Sequence, residues 1–566
     1  MMKTILAVIS IVLLNILCGW LSNLPQEVGA DVPHGKLNSL SFAPYWQGQS
    51  PMEGIFPSPE QIETDLRLLS EKTHSIRTYA SAEGTMPIIP SLARKYGVSM
   101  IQGAWLGGIA KGNQIEVDEL IRSANENPDV VKRVIVGNEV LLRGDLEPEE
   151  LITYIRKVKQ AVKQPVSYAD VWSMYMKYPQ LIKEVDFITI HILPYWEDEP
   201  IAVEVAPQHI EKIYKHVQQE ANNIASNKPI LIGESGWPSQ GKQRGWAVPS
   251  VVNEARFIRG LIKVANTNGF DYNIVEAINQ SWKYQLEGVV GANWGLFSVD
   301  RQEVFPLIGK VYENPQWYKG LLASIAIFLF ACAVFWKPLQ TLSMLQRIGF
   351  LFFMQLLAVL WMNQIEHLWY VSYNSGQRIM TLVVVGLNAV LGSLMMLRCY
   401  RLLAEQAVND RVGYWLNTIY IVFVGFAIFK TAHLAINGRY ISFPIVETYI
   451  PVVGILGLIL IRCFSAKQWV FNVIAFNNLI GYSDPKPYQG KWLAYVLLAT
   501  GVALLVGESW TFFESRDLIL AHPDVSERLR LSLIFTITNG QLLTWLMSTI
   551  VLALPLLAIQ SSKQSN

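Results

Sequence analysis

From residue 320 to 562 the sequence is a succession of apolar stretches split by short polar loops, whereas residues 31–316 carry an ordinary density of charge. This asymmetry constrains the fold before any motif is considered: the second half belongs in a bilayer and the first in water. Seven stretches, near 320–336, 348–364, 379–397, 412–430, 440–461, 491–507 and 531–559, approach the ~20 residues that a hydrocarbon core requires, with 491–507 at the short limit. At the N-terminus Lys3 precedes an uncharged run from Thr4 to Gln26, the pattern of a signal peptide or an uncleaved signal anchor. The small-residue site Val28-Gly29-Ala30 lies well past the apolar core, which favours the anchor, and Leu17 before Cys18 argues against lipidation. The chain therefore divides into a signal segment (1–30), a globular domain (31–316) and a polytopic α-helical membrane domain of about seven spans (317–566).

Charge around the spans orients them. With the first span running outward, the termini and the loops 337–347, 398–411 and 462–491 face inward and carry eleven Lys/Arg, against six in 363–378, 430–439 and 508–530. The bias follows the positive-inside rule. It predicts a multi-pass protein of the plasma (inner) membrane with residues 31–316 on the extracytoplasmic side.

Composition excludes several classes of function. A net charge of +1 without a basic block gives no footprint for nucleic acid. The four cysteines, Cys18, Cys332, Cys399 and Cys463, lie in or beside apolar runs, so the globular domain has neither a disulfide framework nor a thiolate metal site. The eight histidines show no HxxxH or HxH spacing. No metal and no cofactor are expected.

In the globular domain, apolar β-branched segments recur at Leu37–Ala43, Ser75–Tyr79, Val98–Trp105, Val131–Val136, Pro165–Tyr168, Val185–His191, Pro229–Gly233 and Asn273–Ile278. Helical patterns such as Pro59–Lys72, Glu147–Val162, Pro207–Ala225 and Pro249–Asn268 fall between them. Eight βα repeats in ~280 residues predict an α/β fold, a (β/α)8 TIM barrel. An open doubly wound sheet would favour a glycine-rich phosphate turn after the first strand; that strand instead ends Phe42-Ala43-Pro44-Tyr45-Trp46.

Barrel chemistry sits at the C-terminal strand ends. That rim reads Tyr45 and Trp46, Tyr79, Trp105, Glu139, Trp172, Tyr195 and Trp196, Glu234 with Trp237, and Trp282. Tryptophans can be ordinary barrel packing, but this many at one rim suit sugar faces stacking on aromatic planes. Glu139 and Glu234 each follow a buried strand, and two such acids meeting over one bond are the machinery of glycoside cleavage. Asn138 is placed to donate to a sugar 2-hydroxyl.

The motifs Ile76-Arg77-Thr78-Tyr79, Val136-Gly137-Asn138-Glu139, His191 to Trp196 (HILPYW), Gly233 to Pro238 (GESGWP) and Trp294-Gly295-Leu296-Phe297 appear in this order over residues 37–316. In these the sequence resembles glycoside hydrolase family 17, the β-1,3-glucanase family. The resemblance implies a retaining mechanism on β-1,3-glucan, with Glu139 as general acid/base and Glu234 as nucleophile. The rim and these motifs together mark Tyr45, Tyr79, Trp105, Asn138, Tyr195, Trp196, Trp237, Gln280, Trp282 and Lys283 as substrate-binding candidates. Plant-type members tend to carry Glu where this chain has Gln280, so an acidic role there is in doubt, while Lys283 matches.

The resemblance says nothing of residues 320–566. Glu447, between Pro444 and Pro451, is the clearest polar residue within a span, with His433, Glu366 and His367 nearer the surface. Three readings follow: a membrane-attached endo-1,3-β-glucanase, a β-glucan transglycosylase, or a component of glucan synthesis or export machinery whose barrel mainly binds the polymer. A synthase using a cytoplasmic nucleotide sugar is disfavoured, because the longest inward loop, 462–491, is too short to fold a transferase domain.

Overall fold

The computed structural model describes residues 1–407, 409–467, 470–482 and 487–559. Lys486 and Lys563, both counted in the charge bias, lie outside the described residues. The chain forms two compact units, Pro25–Glu313 and the pair of segments Met1–Leu24 and Asn314–Asn566.

The first unit is a closed, all-parallel barrel with strands in chain order. They are β1 (Leu37–Ser41), β2 (Thr73–Arg77), β3 (Ser99–Ala104), β4 (Val131–Asn138), β5 (Val166–Val171), β6 (Ile188–His191), β7 (Ile230–Ser235) and β8 (Asp271–Ile274). The barrel closes through β1 and β8, with Leu40 opposite Ile274. Helices follow the predicted patterns: Pro59–Ser70, Pro148–Ala161, Ala206–Ile224 and Val251–Asn268. The first starts where Ser58 accepts from the Gln61 amide while the Gln61 side chain accepts from the Ser58 N–H, with Pro59 at the first helical position.

The eighth strand is shorter than the predicted Asn273–Ile278. Beyond Ile274 the chain is taken over by the return segment: Glu276 N–H donates to the Trp294 carbonyl (2.9 Å), Leu296 N–H to that of Glu276 (3.0 Å) and Asn279 N–H to that of Phe297 (2.8 Å). This pairing turns residues 276–283 over the mouth of the barrel. At the opposite end Arg133 on β4 reaches across to Asp271 on β8 (2.6 Å). Between them Ile101, Ile135, Ala169, Phe187 and Leu231 form a buried apolar plug.

Among the described residues of the second unit, eight helices are long and apolar enough to cross a membrane: Met2–Ser22, Trp317–Val334, Met344–Tyr370, Ser375–Leu403, Asp410–Tyr440, Val446–Ala466, Tyr488–Phe513 and Gly540–Leu557. Two predicted spans need correction. The stretch 531–559 is two helices, Val525–Ile537 and Gly540–Leu557, because Asn539 caps the second by accepting from the Leu542 amide. The stretch 491–507 belongs to a helix, Pro487–Phe513, of ample length. Near the prolines around Glu447 the backbone makes a 3-10 turn, Val446–Thr448. The Glu447 carbonyl accepts from the side-chain amides of Gln364 (3.1 Å) and Asn388 (3.1 Å). This carbonyl, left open because Pro451 four residues on has no N–H, is thus satisfied by side chains of neighbouring helices.

One buried ion pair ties the return segment to the barrel. The Arg301 guanidinium grips Asp65 through two bonds of 2.8 Å and lies 3.9 Å over the Trp46 ring. Asp65→Ala leaves that guanidinium buried without its partner. We expect a loss of about 3–5 kcal/mol and a fall of roughly 10 °C in the barrel's unfolding midpoint, measured by tryptophan fluorescence on the full chain.

Candidate active site

The barrel mouth is organised around Arg77, the last residue of β2, whose side chain is 1% exposed. Its guanidinium donates through Nη1 to the Gly233 carbonyl (2.8 Å) and to Glu234 Oε1 (3.0 Å), and through Nη2 to Asn138 Oδ1 (2.5 Å). One rigid fork therefore fixes the end of β7 and the end of β4 together. The fork takes the oxygen of the Asn138 amide, which leaves its NH2 as the end available to a ligand.

Glu139 follows β4 in a left-handed conformation, φ 53°, two residues after Gly137 at φ 87°. A non-glycine residue held there costs on the order of 1–3 kcal/mol unless its surroundings impose it. Several contacts do. Glu139 N–H donates to the Ala169 carbonyl (2.8 Å), and Arg143 donates to the Asn138 carbonyl (2.5 Å). The Leu141 and Leu142 amides donate to the Tyr168 hydroxyl (3.0 Å) and to Asp170 (3.3 Å), and that hydroxyl donates to Asp170 in turn. The strand end is thereby bent so that Glu139 turns back over the mouth.

His191, the last residue of β6, lies between the two acids. Its Nδ1 is 2.9 Å from Glu139 Oε1 and its Nε2 is 3.6 Å from Glu234 Oε1. Gly233 makes room for the ring, since a Cβ there would stand 2.3 Å from Thr189 and 3.3 Å from His191 Cδ2. Donor atoms of Glu139, His191 and Glu234 all fall within 4.8 Å of one another. Such a trio has the spacing of a metal site, but the Arg77 guanidinium already sits on Glu234 and opposes a cation there.

The two carboxylates differ in surroundings. The Glu234 side chain is 11% exposed and that of Glu139 is 25% exposed. Burial works to raise the Glu234 carboxyl, but His191, Arg77 and Lys283 beside it and the Tyr79 hydroxyl outweigh burial and hold the group below the usual range. Lys283 is fixed by Glu276, donating to both of its oxygens (2.8 and 2.9 Å). Burial pushes Glu276 up to about 7, against the pull of Lys283.

The other predicted residues fall into two groups. Trp105 is 39% exposed, with the Arg143 guanidinium 4.5 Å over its ring. Trp196 and Trp282 are half-buried, the first stacked on Trp294 and the second edge-on to Tyr45. Tyr79 is in the cluster itself, 4.9 Å beneath the Arg77 guanidinium, with its hydroxyl on Ser41 (2.9 Å). Tyr45, Tyr195, Trp237 and Gln280, by contrast, are buried beneath this surface. Tyr195 donates to the Lys242 carbonyl and Trp237 to that of Val248 (2.9 Å). Gln280 spends its amide NH2 on the Ala43 and Ile278 carbonyls and its oxygen on Trp282 Nε1. The sequence reading missed Arg77, His191, Asp170 and Glu276 as individuals. Arg77 and His191 stood in quoted motifs, each a charged or polar residue ending an apolar strand.

A family profile for the BtgE/BtgC glycoside hydrolase domain matches residues 39–295. The barrel thus matches a glycoside hydrolase domain, in keeping with the resemblance to glycoside hydrolase family 17. Among relatives of this glycosidase domain, a glucan 1,3-beta-glucosidase of Arthroderma benhamiae is 28% identical, over 46% of this chain and 89% of that protein. A glucan 1,3-beta-glucosidase of Schizosaccharomyces pombe is 27% identical, over 51% and 88%. The crystal structure of a family 17 beta-1,3-glucanosyltransferase from Rhizomucor miehei is 26% identical over 48% of this chain and 97% of that chain, with a TM-score of 0.42. The family profile ends at residue 295, before the apolar helix that begins at Trp317.

Asp170, which braces the Glu139 turn of this glycosidase barrel, gives a pH test. Burial raises its carboxyl to about 6, the Tyr168 hydroxyl opposing. From about pH 4 the unfolded chain releases this proton while the folded barrel keeps it up to about 6. The folded state is then the better proton binder, so its stability falls as pH rises through that window. Relative to Asp170→Asn, the wild type should lose on the order of 2–3 kcal/mol of stability between pH 4 and 6, read by denaturant titration at each pH.

Proposed function

We propose that this protein is a membrane-attached, retaining β-1,3-glucan glycosidase of the endo type that works through a glucosyl-enzyme intermediate. The single observation that carries the mechanism is that one carboxylate oxygen of Glu139 and one of Glu234 lie within 4.8 Å of each other. A double-displacement site needs about 5–5.5 Å; an inverting one needs about 6.5–9.5 Å to admit a water between the acids. The glucan relatives support the substrate, and the eight apolar helices support attachment to a lipid bilayer.

The chemistry follows from the two environments. Glu234, ionised and oriented by Arg77, attacks the anomeric carbon while the more open Glu139 protonates the departing glycosidic oxygen. The bond to the leaving sugar breaks as the bond to Glu234 Oε forms, inverting the centre once. Glu139, now a carboxylate, takes a proton from the incoming acceptor hydroxyl, which displaces Glu234 and inverts the centre again. Net configuration is retained. The NH2 of Asn138 faces the place where a sugar 2-hydroxyl gains hydrogen-bonding strength in the oxocarbenium-like transition state. Exposed Trp105 and half-buried Trp196 and Trp282 offer stacking planes on either side. Water as acceptor makes a hydrolase, and a second glucan makes a transglycosylase.

Glu139→Gln and Glu234→Gln should each lower turnover of laminari-oligosaccharides by at least about 10²-fold. Glu139→Gln should retain far more activity on a dinitrophenyl glucoside, whose leaving group needs no proton. Mass analysis of oligosaccharide products checks both points and distinguishes the acceptor: shorter products mean hydrolysis, longer ones transfer. Undiminished turnover in either variant contradicts the assignment.

A further inference from the structure

We propose that His191 is a positioning residue that separates the protonation states of the two acids, holding the proton on Glu139 and the charge on Glu234. The inference rests on the roles given above to those glutamates and adds a third group to them.

His191 is 1% exposed, and no solvent reaches its ring to choose the tautomer. Its Nδ1 is within hydrogen-bond distance of Glu139 Oε1, at 2.9 Å. Its Nε2 has no hydrogen-bond partner and instead faces Glu234 Oε1 at 3.6 Å. Glu234 is ionised, since Arg77 donates to it at 3.0 Å and Lys283 adds a second positive charge. A bare nitrogen lone pair directed at a buried carboxylate would be repelled, whereas an N–H directed there is attracted. The ring therefore carries its proton on Nε2. Nδ1 is then an acceptor, and the 2.9 Å contact requires a proton from Glu139. A charged imidazolium beside an ionised Glu139 has the same proton count, with that one proton shifted along the same bond. Either way the Glu139–His191 pair holds the proton that acid catalysis needs.

The other charged and titratable groups around the ring fit this arrangement. Asp170 on β5 interacts with both His191 and Glu139, and it is itself kept partly protonated by burial. Arg77 and Tyr79 approach from β2 and its exit, and both act on Glu234. Lys283, from the segment after β8, acts there too, and of the two buried carboxyls beside it Glu276 acts on Glu234 and Glu287 on both Glu139 and Glu234. Among these groups, His191 alone has one nitrogen toward each catalytic carboxylate.

The consequence is a broad pH bell for kcat/KM, which reports the free enzyme's groups. His191 raises the alkaline limb by stabilising protonated Glu139, and lowers the acid limb by stabilising ionised Glu234. The two limbs can be moved separately. His191→Gln places an amide NH2 near the site of Nε2 and removes the acceptor at Nδ1, so the alkaline limb should move down by about one pH unit or more with the acid limb held. His191→Asn places an amide oxygen near Nδ1 and removes the donor toward Glu234, so the acid limb should move up with the alkaline limb held. Both profiles are measured on the full chain in detergent with a laminari-oligosaccharide. A merely structural His191 would lower kcat/KM by one factor at every pH, and unmoved limbs overturn the proposal. Wild-type protein labelled with 15N-histidine gives a reading that does not depend on those variants. The resonance that responds to Glu139→Gln should show a protonated Nε2 at mid-pH, and a ring protonated on Nδ1 alone overturns the proposal. Loss of turnover in Glu139→Gln and Glu234→Gln together with unmoved limbs defeats the His191 inference alone, whereas retained turnover in either glutamate variant defeats both readings.

Discussion

A single guanidinium organises the mouth of the barrel. Arg77 enters from β2 and bonds to β7 through Gly233 and Glu234 and to β4 through Asn138, so the two strands that deliver the catalytic candidates are held by one planar group. Without it, Glu234 would be a buried carboxylate with burial driving it toward the neutral, unreactive form. With it, burial becomes an advantage. The charge is kept, the side chain is immobilised, and the low dielectric strengthens each contact. The cost is a cation almost wholly removed from water, and the arrangement offsets that cost with three bonds of 2.5–3.0 Å.

Around this fork the two acids are given opposite characters by local structure. Glu234 lies within β7, where the register with β6 slips by one residue at Gly233, so that Glu234 stands beside His191. Glu139 lies just past a strand, in a left-handed turn that Asp170, Tyr168 and Arg143 impose. One is rigid and shielded, as a nucleophile should be. The other is more open, as suits a group that must meet both a leaving oxygen and an acceptor.

Much of this was legible in the sequence, for identifiable reasons. Eight apolar β-branched runs separated by amphipathic helices have one economical closed solution, and their order around the barrel followed. Glu139 and Glu234 stood out because an acid directly after a buried strand has few structural uses. The end of β8 was not legible, because residues 294–297 pair with residues 276–279, and that pairing spans too great a sequence distance to leave a local pattern. Aromatic side chains misled in a similar way. Tyr195 and Trp237 share the rim's sequence positions with Trp105, yet their polar atoms find carbonyls of the loop at 242–248 and they pack inward. The apolar spans were visible by composition, but the break at Asn539 depends on one capping side chain within an otherwise continuous pattern.

The central claim is a covalent sugar on Glu234. Incubating the full-length protein with an activated 2-deoxy-2-fluoro-laminaribiosyl donor, followed by proteolysis and mass mapping, tests it directly. The account predicts one adduct, on the peptide containing Gly233-Glu234-Ser235, and none after Glu234→Gln. Absence of any adduct together with a first product of inverted anomeric configuration, or an adduct on Glu139, would contradict it.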